Sequence, residues 1–234
     1  MASHDRLGHL QPSAAYGQSM TDLSLSCILI YAFVAGLHSY YADDSERFRS
    51  TTKPLLMPLL SVFYLFAAGD SPWIYGALLF AWLGDLALLK QGKLFFMLGL
   101  VSFLAGHLLM STHLLNLLFP LVSPTSMGIV FVVMFVLAAG LFNYLRPHLG
   151  TLQVPVLIYC LVLATKGSLA VLLVWQTPNT MTVLVAIGAL VFMASDLTLA
   201  VNRFVKPIHK AHLWVMASYT LAQGMMVVGL SQAI

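Results

Sequence analysis

Apolar stretches recur eight times along the chain, at approximately Leu23 to Tyr41, Pro54 to Ala68, Pro72 to Leu89, Leu94 to Phe119, Ser126 to Leu145, Leu152 to Val174, Thr180 to Val201 and Ala211 to Leu230. A helix crossing the hydrocarbon core of a bilayer needs about 20 mostly apolar residues, so most of these runs are long enough to span. The pattern predicts an all-α, polytopic membrane protein of eight transmembrane helices. Composition agrees: of 234 residues, 60% are hydrophobic and 8% charged, against roughly 45–50% and about 25% in a soluble domain. A water-soluble enzyme is excluded. The 11 Lys and Arg and 8 Asp and Glu residues are dispersed, leaving no basic stripe for a nucleic acid. Residues 1–21 read as a polar amino-terminal tail and residues 22–234 as one membrane domain. Cys27 and Cys160 both lie in apolar runs and suggest no metal cluster.

Basic residues alternate along the chain. Connections after the first, third, fifth and seventh helices hold Arg47, Arg49, Lys53, Lys90, Lys93, Arg146, Arg203, Lys206 and Lys210, whereas those after the second, fourth and sixth hold none. The amino-terminal tail adds only Arg6. By the positive-inside rule the odd-numbered connections face the cytoplasm and both termini lie outside.

The two halves, about 22–120 and 121–234, echo one another. Thr52-Lys53 with a closing Leu59-Leu60 matches Thr165-Lys166 with Leu172-Leu173. Gly84-Asp85-Leu86-Ala87-Leu88 matches Ser195-Asp196-Leu197-Thr198-Leu199, and Phe103-x3-His107 pairs more weakly with Tyr219-x3-Gln223. The offsets of 113, 111 and 116 residues stay in order. Four intervening spans make equivalent helices run the same way, which predicts two parallel four-helix repeats about an axis along the membrane normal.

Ionisable residues inside the runs are few: Asp85, His107, His113, Lys166 and Asp196, with His38 and Lys53 near the ends. Each acid or lysine at a helix centre costs on the order of 2.5–3.5 kcal/mol to insert, so burying three demands a reason. Under the repeat, Asp85 and Asp196 lie at equivalent depth and can face one another across a shared cavity. A purely structural role would pair Asp85 with Lys53 and Asp196 with Lys166 as bundle ion pairs. Phe96, Gly99, Phe103 and His107 share one face of the fourth helix; His212, Tyr219 and Gln223 share one face of the eighth. Serine-hydrolase elbows, His-Glu-x-x-His pairs and phosphate-cradling glycine loops are absent from the sequence.

Taken together, Lys53-Pro54, Gly84-Asp85, Phe96-x2-Gly99-x3-Phe103-x3-His107, Gly188-Ala189-x2-Phe192-x2-Ser195-Asp196 and Tyr219 resemble the YhhN-type lysoplasmalogenase family from about Leu23 to Leu230. Met110 stands where that pattern leads one to expect tyrosine. The resemblance implies an eight-span membrane ether hydrolase that cleaves the vinyl-ether bond of a lysophospholipid, the lysoplasmalogen, with no metal or other cofactor. It also implies Asp85 and Asp196 as the family's two aspartates. Vinyl-ether hydrolysis needs one acid to protonate carbon and an anion to stabilise the oxocarbenium ion, and two carboxyls in a low-dielectric cavity can divide those roles. Which aspartate does which stays open. Lys53, Lys166 and Arg203 are candidate substrate-binding cations, with His107, Tyr219 and Gln223 beside them. The implied setting is a bacterial inner membrane, with the oligomeric state left open. A small-solute or proton-coupled transporter is the alternative, since repeats and intramembrane Asp and Lys residues also suit alternating access.

Overall fold

The computed structural model describes residues 14–42, 45–119 and 123–232. Among them are eight α-helices and no strand: α1 (Ala14–Tyr41), α2 (Glu46–Phe66), α3 (Pro72–Leu88), α4 (Lys93–Leu118), α5 (Pro124–Leu145), α6 (Gln153–Gln176), α7 (Thr180–Ala200) and α8 (Ala211–Gln232). Two short 3-10 turns join α5 to α6, and a π-helical turn, Val201–Val205, extends α7.

Six of these segments, all except α2 and α3, are long and apolar enough to cross a membrane. The chain is a multi-pass membrane protein. Its outer surface fits that setting: Ile129, Val132, Val133, Val136 and Leu137 of α5 are all exposed, an apolar strip that water would not tolerate. Trp73, Trp175 and Trp214 are exposed as well.

Two boundaries differ from the sequence expectation. The first helix starts at Ala14, so residues 14–21, assigned to the polar tail, are helical; residues 1–13 lie outside the described part. The second helix starts at Glu46 rather than Pro54, because the Ser45 side chain caps it by accepting from the Phe48 N–H. Two prolines then sit inside α2, at 54 and 58. Pro58 has no N–H to give the Pro54 carbonyl; the Trp82 indole of α3 supplies one, its Nε1 donating to that carbonyl at 2.9 Å. A neighbouring helix thus supplies the donor that Pro58 cannot.

Consecutive helices pack against each other except α4 and α5, and the halves meet through α4 on α6, α1 on α8 and α2 on α8. Small residues set the closest approaches. A Cβ on Gly188 of α7 would lie 3.0 Å from the Ala222 carbonyl oxygen of α8, and one on Gly106 of α4 would lie 3.1 Å from the Ala77 carbonyl oxygen of α3. Backbone cannot yield there as a side chain could, so these helices touch only because the residues are glycines.

Candidate active site

Two buried polar groups lie inside the bundle, one on each aspartate. In the first, Asp85 of α3 is buried and Lys53 of α2 places its Nζ 3.3 Å from Oδ1. Tyr219 of α8 donates its hydroxyl to Oδ2 at 2.8 Å. Three helices thus converge on one carboxylate, and both of its oxygens are engaged. A charge so far from water needs such compensation.

In the second group the corresponding ion pair has opened into a string. Tyr159 of α6 donates its hydroxyl to Asp196 Oδ2 of α7 at 2.6 Å. His107 Nε2 of α4 lies 3.0 Å from that hydroxyl, and Lys166 Nζ of α6 lies 3.4 Å from His107 Nδ1. The hydrogen bonds assign the polarity. With the Tyr159 O–H donating to Asp196, the tyrosine oxygen accepts from His107 Nε2–H, which leaves Nδ1 to accept from Lys166. Lys166 also stands 3.8 Å above the Phe192 ring, a cation–π contact that contributes to holding a buried ammonium.

Phe192 packs on both groups. Its ring meets His107 edge-on at 4.7 Å between centroids and Tyr219 at 5.6 Å. Each carboxylate has its own set of polar partners, and the aromatic ring links the sets. The expected pairing of Asp85 with Lys53 is present; Asp196 instead meets Lys166 through His107 and Tyr159.

A cavity of about 90 Å³, measured as the space open to the centre of a water molecule, lies against Asp196. Its walls come from α3 to α7 and the π-turn, and are apolar apart from Tyr159, Cys160 and Asp196. Phe96 and Phe204 line it where α4 begins and α7 ends. The Arg203 guanidinium, exposed at that end, lies 4.1 Å from the Phe96 ring centroid. A smaller cavity of about 10 Å³, measured in the same way, is lined by His107, Lys166 and Gln223 among apolar neighbours. Asp85 lines neither.

Most of the residues singled out in the sequence gather here. His107, Lys166 and Asp196 belong to one group, Lys53, Asp85 and Tyr219 to the other, Gln223 lines the smaller cavity and Arg203 flanks the larger. Lys53, expected as a substrate-binding cation, is buried and ion-paired with Asp85. Tyr159 was not singled out. Its signal was its position seven residues before Lys166, two turns along one face of α6.

Comparison with known proteins matches residues 48–230 to the YhhN family. Relatives from Mycobacterium bovis and Mycobacterium tuberculosis, each named lysoplasmalogenase, are 30% identical over 160 residues, or 67% of this chain. The matched region spans 59% of the length of those relatives. No solved structure matches the chain. With Asp85, His107 and Asp196 all inside the matched region, the chain belongs to the YhhN family.

Proposed function

We propose that the protein is a lysoplasmalogenase, hydrolysing the vinyl-ether bond of lysoplasmenylethanolamine or lysoplasmenylcholine to a fatty aldehyde and the glycerophospho-base. The observation that carries this reading is the large apolar cavity with Asp196 in its wall and Arg203 beside its rim. A single-chain ether lipid has matching chemistry: a hydrocarbon tail, an acid-labile double bond and a phosphodiester that keeps its charge.

In this reading Asp196 donates a proton to the outer alkene carbon, giving an oxocarbenium ion. Water adds to the adjacent carbon, and the resulting hemiacetal collapses to aldehyde and alcohol. Asp85, paired with Lys53 and Tyr219 and lining neither cavity, is the second carboxylate of the pair and acts on the developing cation only through the dipole of its ion pair. The deciding experiment is mass spectrometry of purified protein incubated with lysoplasmalogen in detergent. Free aldehyde and glycerophospho-base support the reading; unaltered lipid, with solute uptake by proteoliposomes, would favour a transporter.

Arg203 is the headgroup cation. Replacing it with Gln removes one charge-assisted contact to phosphate, worth about 1.5–3 kcal/mol. Steady-state kinetics are expected to show KM raised about tenfold or more with kcat little changed.

The proposed topology puts both termini outside, with the basic connections in the cytoplasm and eight crossings arranged as two parallel repeats. Between the halves, α4 on α6 has its counterpart in α8 on α2, which supports the repeat, whereas α1 on α8 has no equal in α5 on α4. The repeat-related Phe103 and Tyr219 also meet, 5.9 Å apart between ring centroids. Reporter fusions after Arg49 and after Arg203 should both read cytoplasmic, and opposite readings would break the proposed count. A bacterial inner membrane is the corresponding location.

A further inference from the structure

The string from Lys166 to Asp196 joins the two cavities. Its Tyr159 and Asp196 end lines the large apolar one, whereas its His107 and Lys166 end lines the small one with Gln223. A structural ion pair would need no such spacing: Lys166 and Asp196 could meet directly, as Lys53 and Asp85 do at 3.3 Å. Here two groups, each able both to give and to take a proton, are interposed at hydrogen-bond distances of 3.4, 3.0 and 2.6 Å.

We propose that Lys166, His107 and Tyr159 form a proton wire that arms Asp196, with Lys166 as the proton store and His107 and Tyr159 as positioning residues. The inference rests on the vinyl-ether reading of the site. At rest the wire is polarised from ammonium to carboxylate. When it fires, Lys166 passes a proton to His107 Nδ1, His107 Nε2 passes one to Tyr159, and Tyr159 passes one to Asp196. Lysine becomes a neutral amine, aspartate a carboxylic acid, and imidazole changes tautomer.

The acid then gives its proton to the alkene carbon: the O–H bond breaks, a C–H bond forms, and the ether becomes an oxocarbenium ion beside a carboxylate. With Lys166 discharged, no ammonium competes for that anion. Water adds and sheds one proton to Asp196. The wire then runs backwards, returning the proton to Lys166 and restoring the imidazole tautomer, while the hemiacetal moves its hydroxyl proton to the leaving oxygen. No proton is gained or lost over the cycle beyond those of the consumed water.

Tyr159→Phe keeps the ring and removes the O–H. The expected result is kcat down about a hundredfold, in the range of a lost proton-transfer group, with KM within about twofold and melting temperature close to that of the parent. His107→Gly should lose turnover similarly. Added imidazole should restore it, whereas pyrrole, which has the shape and an N–H but no second basic nitrogen, should not. Imidazole should fail in the Tyr159→Phe/His107→Gly double variant. If Tyr159→Phe turns over within twofold of the parent while Asp196→Asn is dead, the wire is overturned and the lysoplasmalogenase reading stands. Equal rescue by pyrrole would also overturn the wire, making the site a packing requirement. If the parent protein releases no aldehyde from lysoplasmalogen, both readings fall.

Discussion

Aldehyde release by Asp196→Asn is expected to fall about a thousandfold or more, to the limit of detection, with the protein still expressed and folded. Asparagine keeps the size of the side chain and a carbonyl for the Tyr159 hydroxyl to donate to, a bond of 2.6 Å in the parent. It has no acidic proton to give to carbon. A positioned general acid contributes typically 10²- to 10⁴-fold, and a vinyl ether offers no other route through this cavity, whose walls are otherwise apolar apart from Tyr159 and Cys160. Adding Asp85→Asn should lower the residual rate very little, since groups that act as a unit are not additive. Substantial activity in a folded Asp196→Asn protein would return this carboxylate to a structural role.

Asp85→Asn should be the most destabilising of the charge changes, and for a different reason. It leaves the Lys53 ammonium buried and without its anion, 3.3 Å from the altered side chain. Breaking a buried pair from one side costs about 3–5 kcal/mol, whereas removing both charges is often close to neutral. The Lys53→Met/Asp85→Asn double variant should therefore recover most of the lost thermal stability in detergent, with Tyr219 still donating to the amide oxygen. Its activity should stay absent if Asp85 contributes charge to the reaction. A double variant that is both stable and active would make this pair part of the scaffold alone.

The membrane class and six of the eight helices were legible because a bilayer imposes length and apolarity on a segment regardless of what packs beside it; α2 and α3 showed only as shorter apolar runs. The aspartates and Lys166 stood out for the same reason, as costly residues in apolar surroundings. What could not be read was whatever depended on a partner helix. The apolar run begins at Pro54, so the polar turns that open α2 from Glu46 went unread, and the donor that lets the helix continue through Pro58 comes from Trp82, on α3. Lys53 could be read either as a substrate-binding cation or as the partner of Asp85, and only the packing of α2 on α3 decides for the ion pair. Tyr159 is one of nine tyrosines in an aromatic-rich chain, and its importance lies in contacts to residues 52 positions before it and 37 after it. The divergence of the halves was hidden too: matching Thr-Lys and Asp-Leu-x-Leu segments gave no hint that one lysine would meet its aspartate directly and the other through two intermediaries.

Asp196 and Arg203 are seven residues apart on one unbroken rod, α7 with its π-helical extension, so about 10 Å of rise separates them. Under the proposed reading the rod is a caliper, one jaw on the phosphate and the other on the double bond. Such a device measures the glycerol segment, whose length is the same in every lysoplasmalogen, and leaves the hydrocarbon beyond the double bond ungauged. Selectivity would then fall on the position of the reactive bond relative to the charge, and aldehydes of many chain lengths would leave the same site.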